Sequence, residues 1–213
     1  MALFFQQNIN QSSKLAIWKI EEPELFYTEL VTMSSTISHP HKRLQHLAGR
    51  YLLPFLFADF PHNAIEIAET RKPFLPTAQY QFSISHCADF AAAIVSKNQA
   101  VGIDIEMITD RVHKIKHKYL HAIEQAFVND YPIEKQTALL TLLWSAKEAM
   151  FKWWGRGDID FSEAMQIQSF ELKESGVLHA RFKKDNFETA LELNYQMIDQ
   201  MSLVWVITAP HIF

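Results

Sequence analysis

Between residues 41 and 56, "HKRLQHLAGRYLLPFL", the apolar Leu44, Leu47, Ala48, Tyr51 and Leu52 recur at steps of three and four. That period matches the turn of an α-helix with one buried face. Pro54 is expected to end or kink it, because proline lacks an N–H and clashes with the preceding turn. A longer run, "KQTALLTLLWSAKEAMFKWW" (135–154), has the same period, and Gly155 and Gly157 behind it suit a left-handed stop. "RVHKIKHKYLHAIEQAFVND" (111–130) also has helical spacing, with Pro132 following. Elsewhere the pattern alternates, as strands do. "LAIWKI" (15–20) and "VGIDIE" (101–106) read as single strands. "YQFSIS" and "FAAAIVS" around the turn "HCAD" read as a hairpin, and "FETALELNYQMIDQMSLVWVITA" (187–209) reads as strand–turn–strand. "ETRKPFLP" (69–76) is a proline-punctuated loop.

Taken in order, each half of the chain holds a long apolar helix and then a strand hairpin. This is a repeat of element order with little identity. It predicts an α+β fold of two similar halves, residues 1–100 and 101–213, with a boundary near 97–101. The 213 residues, 48% hydrophobic, suffice for one large core or two small ones. Five glycines and no low-complexity stretch mean that any boundary is tight. A formal charge of −4 gives no general attraction to nucleic acid or anionic membrane. The single cysteine, Cys87, excludes an internal disulfide and a cysteine-built zinc site, and reads as a packing residue. "MALFFQQNIN" lacks signal-peptide features. The longest apolar run, "YLLPFLFADF", is about half the ~20 residues of a membrane span. A soluble, cytoplasmic protein is expected.

In "VGIDIE", Val101, Ile103 and Ile105 share one face of the strand. Gly102, Asp104 and Glu106 share the other. The two acids would sit roughly 6.6 Å apart, at about 3.3 Å per residue. Like charges on one face call for water or a cation, and Mg²⁺ takes carboxylate oxygens at about 2.0–2.1 Å. Gly102 leaves that face bare, so a bulky ligand could approach the backbone. Alone, the pattern equally suits a solvated edge strand.

The helix 135–154 changes that balance. Glu148 and Lys152, four residues apart, share a face near Ser145. On a surface they would form an ordinary ion pair. Trp144, Phe151, Trp153 and Trp154 make this helix apolar nearly all round, so the pair is expected at a site. The tryptophans themselves read mainly as core.

"VGIDIE", followed about 40 residues later by "LWSAKEAMFKWWGRG", closely resembles the 4′-phosphopantetheinyl transferase signature: a G-[IV]-D-x-E strand and a W-S-x-K-E-x-x-x-K helix. "RKPFLP" and "FSISH" upstream resemble the K-P loop and S-H turn of the monomeric Sfp-type members. Together these pieces span about 70–157. The first 40 residues and the last 50 resemble the family only in length and element order.

The resemblance implies a pseudo-dimer of two α+β halves, each a small, mostly antiparallel sheet with a long helix, and an active site in the cleft between them. It implies transfer of the 4′-phosphopantetheine arm of coenzyme A to a serine of an acyl or peptidyl carrier protein, with 3′,5′-ADP released. Asp104, Glu106 and Glu148 would hold Mg²⁺, or Mn²⁺, beside the CoA pyrophosphate. Glu148 would be the best candidate for general base toward the serine, directly or through a metal-bound water, or else only a ligand, and Lys152 would contact the phosphates and stabilise developing charge. Ser85 and His86 would bind the 3′-phosphate, Lys72 would sit over the adenine and phosphate end, and Gly102 would give the cofactor clearance. Lys147, about 100° round the helix from Glu148, is as compatible with a solvated lysine as with a role. Two departures stand out. Ser83 occupies a position where members often carry asparagine, and no Lys or Arg lies between Lys19 and Lys42. The CoA-phosphate duty would then fall to Arg43, ahead of Lys42, His39 or Arg50.

The stretch Arg111 to Tyr119 carries four formal cations and no acid. It reads either as a solvated basic helix or as a docking surface for an acidic carrier protein, with Ile115, Tyr119 and Leu120 as the apolar contact. His113, His117 and His121 are spaced for a metal stripe, but the interleaved lysines oppose a cation. Ser85–His86 is not a hydrolase pair, because adjacent strand residues face opposite ways and no G-x-S-x-G elbow surrounds Ser85. Two competing readings are a CoA- or carrier-binding protein of this fold without transferase activity, and an unrelated Mg²⁺-dependent phosphohydrolase. The second leaves "FSISH" and "RKPF" unexplained.

Overall fold

A computed structural model describes residues 2–31 and 37–210. The fold is mixed α+β with antiparallel sheets and helices. The chain divides into two compact units. One runs to Ile103 and takes the chain back from Thr208; the other is Asp104–Ile207.

The first unit begins with β1 (Leu3–Asn10) and β2 (Ser13–Lys19), an antiparallel pair. β1 was not predicted. Its outer face carries Gln and Asn among half-exposed apolar residues, so its alternation is blurred. After the short α1 (Glu24–Thr28) comes α2 (Pro40–Leu56). Pro40 starts it, where a missing N–H does no harm. Pro54 does not stop it: the helix continues to Leu56, and Phe57 N–H still bonds the Leu53 carbonyl. At the last turn proline removes one bond without interrupting a longer ladder.

Part of the predicted 69–76 loop is a strand, β4 (Pro73–Phe74), which pairs with β3 (Glu66–Ile67) just before the loop. β5 (Gln81–Cys87) and β6 (Phe90–Ser96) form the predicted hairpin, completing a sheet of order β1-β2-β6-β5. The turn is tighter than expected. His86 and Cys87 belong to β5, and only Ala88 and Asp89 turn, with Ala88 at φ 44°. α2 packs on this sheet through Leu47, Ala48, Leu52 and Leu53, and Gly49 lets it approach β5 closely. A Cβ there would lie 2.5 Å from Ile84 Cγ2.

β7 (Ala100–Met107) carries the acids and crosses from one unit into the next between Ile103 and Asp104. Residues 100–105 are all buried, so this is no solvated edge strand. The Ser83 hydroxyl accepts a hydrogen bond from Ile103 N–H at 3.2 Å, fixing β7 just before Asp104.

In the second unit the predicted 111–130 helix is broken. α3 (Arg111–Ile115) runs into a 3-10 turn (Lys116–Lys118), and α4 (Ala122–Asn129) starts afresh. The cause is local. His121 Nδ1 accepts from Ile123 N–H, while the Glu124 carboxylate accepts from His121 N–H at 2.8 Å. This reciprocal capping begins a new helix, and Tyr119 and Leu120 turn into the core.

α5 (Ile133–Trp154) is the long predicted helix, stopped by Gly155 at φ 72°. Then come α6 (Phe161–Ala164), β8 (Met165–Ile167), β9 (Ser175–Lys184), β10 (Phe187–Ile198) and β11 (Met201–Thr208). The sheet order is β7-β11-β10-β9-β8. Among the described residues no helix is long and apolar enough to cross a membrane.

Candidate active site

β7 and α5 bring the predicted acids together. Asp104 is only 2% exposed. Its Oδ2 accepts from the Ser145 hydroxyl at 2.8 Å, and its Oδ1 accepts from Lys152 Nζ at 2.7 Å. Ser145 is fully buried, so its bond to Asp104 is made away from solvent. Two residues along the strand, Glu106 Oε1 accepts from Trp144 Nε1 at 3.0 Å. Trp144 is therefore more than core: its indole N–H holds a site carboxylate.

Glu106 and Glu148 are half-buried, and both titrate abnormally high. Burial pushes Glu148 up from 4.5 to about 7, with the Asp104 charge adding to the rise and Lys152 opposing it. Burial lifts Glu106 to about 6, with Asp104 again adding; the Trp144 hydrogen bond and Lys152 pull the other way. Burial is the main cause of both shifts and the Asp104 charge the second; Lys152 opposes both, and Arg111 also opposes that of Glu106.

All-oxygen carboxylate donors fit a hard divalent cation, and one bound here would relieve that repulsion. Among the described residues, no three His, Cys, Asp or Glu side chains are grouped closely enough to hold a metal as they stand.

Lys147 is not solvated. It is fully buried, and Nζ bonds Glu124 Oε2 and the Tyr119 carbonyl, each at 2.6 Å, and the Phe161 carbonyl at 3.1 Å. Glu124 itself was not singled out from sequence. Its clue was its place, three residues after His121, where a capping acid sits.

In the first unit, Ser85 is buried and the adjacent His86 exposed, on opposite faces of β5. The His86 ring lies 5.1 Å from that of His46 on α2. His46 is held below the usual imidazole range by burial and then by Arg50 and Lys42. Lys72, half-buried in the β3–β4 loop, is pushed down to about 8 by burial. Arg43 is committed to a neighbour: Nε and Nη2 grip the Glu24 carboxylate at 2.7–2.9 Å, and Nη1 bonds the Ile37 carbonyl. Gly102 is buried within β7.

The docking reading needs a correction. Tyr119 and Leu120 are 0% and 2% exposed and offer no surface contact. Arg111, Lys114 and Lys118 are exposed, and Ile115 is half-buried. The histidine stripe does not form: His113 bonds Thr137, and His121 caps α4.

Residues 100–204, from β7 through most of β11, match the sequence pattern of the 4′-phosphopantetheinyl transferase superfamily. Over this segment, just under half of its length, the chain is similar to that superfamily. Named relatives agree. The chain is 34% identical over 114 residues to enterobactin synthase component D of Escherichia coli K12, covering 52% of this chain and 54% of that protein. It is 36% identical over 97 residues to the 4′-phosphopantetheinyl transferase psf-1 of Bacillus pumilus, covering 46% and 40%. It is 30% identical over 111 residues to the 4′-phosphopantetheinyl transferase gsp of Aneurinibacillus migulanus, covering 52% and 46%. The matched segments span about half the length of these curated relatives. The superfamily match contains every residue of the Asp104–Glu106–Glu148–Lys152 group.

Proposed function

We propose that this protein transfers the 4′-phosphopantetheine arm of coenzyme A to a serine of an acyl or peptidyl carrier protein, releasing 3′,5′-ADP. The observation that carries the reading is the buried Asp104, joined to Ser145 and Lys152 beside two carboxylates of raised pKa. A structural ion pair needs one acid; three acids around one lysine suit a site that receives a cation and phosphates.

Asp104, Glu106 and Glu148 would hold Mg²⁺, with Mn²⁺ as a substitute. When bound, the ion supplies a Lewis acid that neutralises charge on the CoA pyrophosphate. The chain's own residues do the rest. Ser145 orients Asp104, and Trp144 orients Glu106. Glu148, titrating near neutrality, accepts the proton of the carrier serine. The serine oxygen bonds to the phosphorus that bears pantetheine, the pyrophosphate P–O bond breaks, and its electron pair leaves with 3′,5′-ADP. Lys152, a quarter exposed, stabilises charge on the phosphate oxygens.

Ser85 and His86 would take the 3′-phosphate and Lys72 the adenine and phosphate end, with Gly102 as clearance. Arg43 could serve only by releasing Glu24, so Arg50 becomes the stronger candidate for that phosphate. The exposed Arg111, Lys114 and Lys118 would meet an acidic carrier. A long helix followed by an antiparallel hairpin within each unit supports the family's architecture of two similar halves. We take the protein to be a cytoplasmic monomer, with no nucleic-acid or membrane partner.

Release of 3′,5′-ADP on mixing protein, CoA, Mg²⁺ and an apo carrier tests this. Release that requires both the carrier and the metal supports transfer. CoA bound without 3′,5′-ADP formed, across fatty-acid, polyketide and peptide-synthetase carriers, would make the protein a binder. Release without a carrier would make it a phosphohydrolase.

A further inference from the structure

Lys147 precedes Glu148 on α5 but lies about 100° round the helix from it, and the transfer chemistry leaves it unassigned. Its ammonium is fully buried and gives its bonds to three segments: Glu124 on α4, the Tyr119 carbonyl after the 3-10 turn, and the Phe161 carbonyl at the start of α6. Glu124 is equally engaged, accepting also from His121 N–H and from Ile167 N–H on β8, both at 2.8 Å. A strut between two helices would need fewer partners.

The two carbonyls that Lys147 grips belong to residues whose rings bracket Trp144. Tyr119 meets the indole edge-on, with centroids 5.1 Å apart. Phe161 stacks on it at 5.8 Å and also touches Phe151 at 5.4 Å. The bracketed indole donates its N–H to Glu106. The Tyr119 ring is in turn fixed by its hydroxyl, which donates to the Leu140 carbonyl at 3.1 Å. A continuous set of contacts therefore runs from Lys147, through the backbones and rings of Tyr119 and Phe161, to the carboxylate beside Asp104.

We propose that Lys147, with Glu124, is a positioning residue: it holds Tyr119 and Phe161 as a clamp that aims the Trp144 indole N–H at Glu106. This deepens the transferase reading and rests on it for its catalytic consequence only; the geometric claim stands on the contacts. The position of Lys147 within the W-S-x-K-E helix then has a reason. One turn of helix presents Glu148 to the acids, and its neighbour secures the wall behind them.

The test follows the Trp144 indole directly. Protein labelled with ¹⁵N-tryptophan gives five indole signals, and Trp144→Phe identifies the one of interest. Lys147→Met with Glu124→Gln makes the buried pair neutral while keeping a hydrogen-bonding side chain at 124. In that folded double variant the Trp144 signal should shift and exchange its proton faster, with the other four unmoved. Phe161→Leu, which keeps the buried pair and alters one half-buried ring, should move the same signal. If the transferase reading holds, the double variant should also lose about 10- to 100-fold in transfer, the range seen when outer partners of a metal site's ligands are removed. Most of that loss should vanish in a Trp144→Phe background. A Trp144 signal unchanged in the double variant overturns the proposal; if that variant does not fold, an unchanged signal in Phe161→Leu overturns it. Absence of transferase activity in the wild type would remove the proposed function but leave this result readable.

Discussion

Lys152 holds Asp104 at 2.7 Å across 48 residues of sequence, and its charge also acts on Glu106 and Glu148. Burial and the neighbouring Asp104 charge nevertheless keep Glu106 and Glu148 above the ordinary glutamate range.

That elevation gives stability a sign with pH. Glu148 titrates at about 7 in the folded protein against 4.5 for an unperturbed glutamate. Between those values the folded state binds more protons than the unfolded one, so its contribution to stability falls as pH rises from 4.5 to 7. The loss is complete above 7 and is on the order of 3 kcal/mol. Glu148→Gln mimics the protonated acid. Urea unfolding without divalent metal should find the variant more stable than wild type at pH 8 and equal to it near pH 4. Added Mg²⁺ should narrow the gap at pH 8 by stabilising only the wild type. A gap that does not change with pH contradicts the charge account.

The Lys147–Glu124 pair should behave asymmetrically. Lys147→Ala leaves a buried carboxylate without its cation and should cost about 3–5 kcal/mol in the urea midpoint. The neutral pair Lys147→Met/Glu124→Gln should cost clearly less than the single change. Similar losses from both would mean that packing, and not charge, governs this position.

Gly49→Ala separates helix propensity from packing. On an exposed helix face the change would gain about 0.5–1 kcal/mol. Here the added Cβ meets Ile84 Cγ2 at 2.5 Å, so α2 must move off β5 or Ile84 must leave its rotamer. A net loss of about 1–3 kcal/mol is expected, read as a lower thermal midpoint. A raised midpoint would show that Ile84 yields freely.

The basic stretch should act on encounter. Lys114→Glu with Lys118→Glu should raise KM for an acidic carrier about tenfold at low salt, with kcat little changed, because steering acts on association. The difference should shrink near 0.5 M salt, where screening reaches only a few ångströms. An unchanged KM would move docking elsewhere. Tyr119 is not part of this test, since its substitution would disturb the core and the Trp144 clamp.

The two long helices, the hairpin at β5–β6 and the strand–turn–strand at the C-terminal end were legible because one face of each element carries a clean period. The acids were legible through their spacing and the W-S-x-K-E helix. What escaped the sequence was set by single residues acting at a distance. His121 and Glu124 cut a helix whose apolar spacing runs on unbroken. Lys147 looks like any surface lysine until Glu124, remote in sequence, is placed against it. Ser83 stood out only as a departure from asparagine, yet it bonds the strand that carries Asp104. β1 stayed hidden because neither of its faces is deeply buried.

The central claim, that the Asp104 group performs transfer, is tested most directly by weighing an intact apo carrier protein after incubation with CoA, Mg²⁺ and this protein. The carrier should gain the mass of one phosphopantetheine arm, and folded Asp104→Ala and Glu148→Ala variants should fail to add it. No mass gain on any of several carriers, or full gain with either variant, would contradict the account.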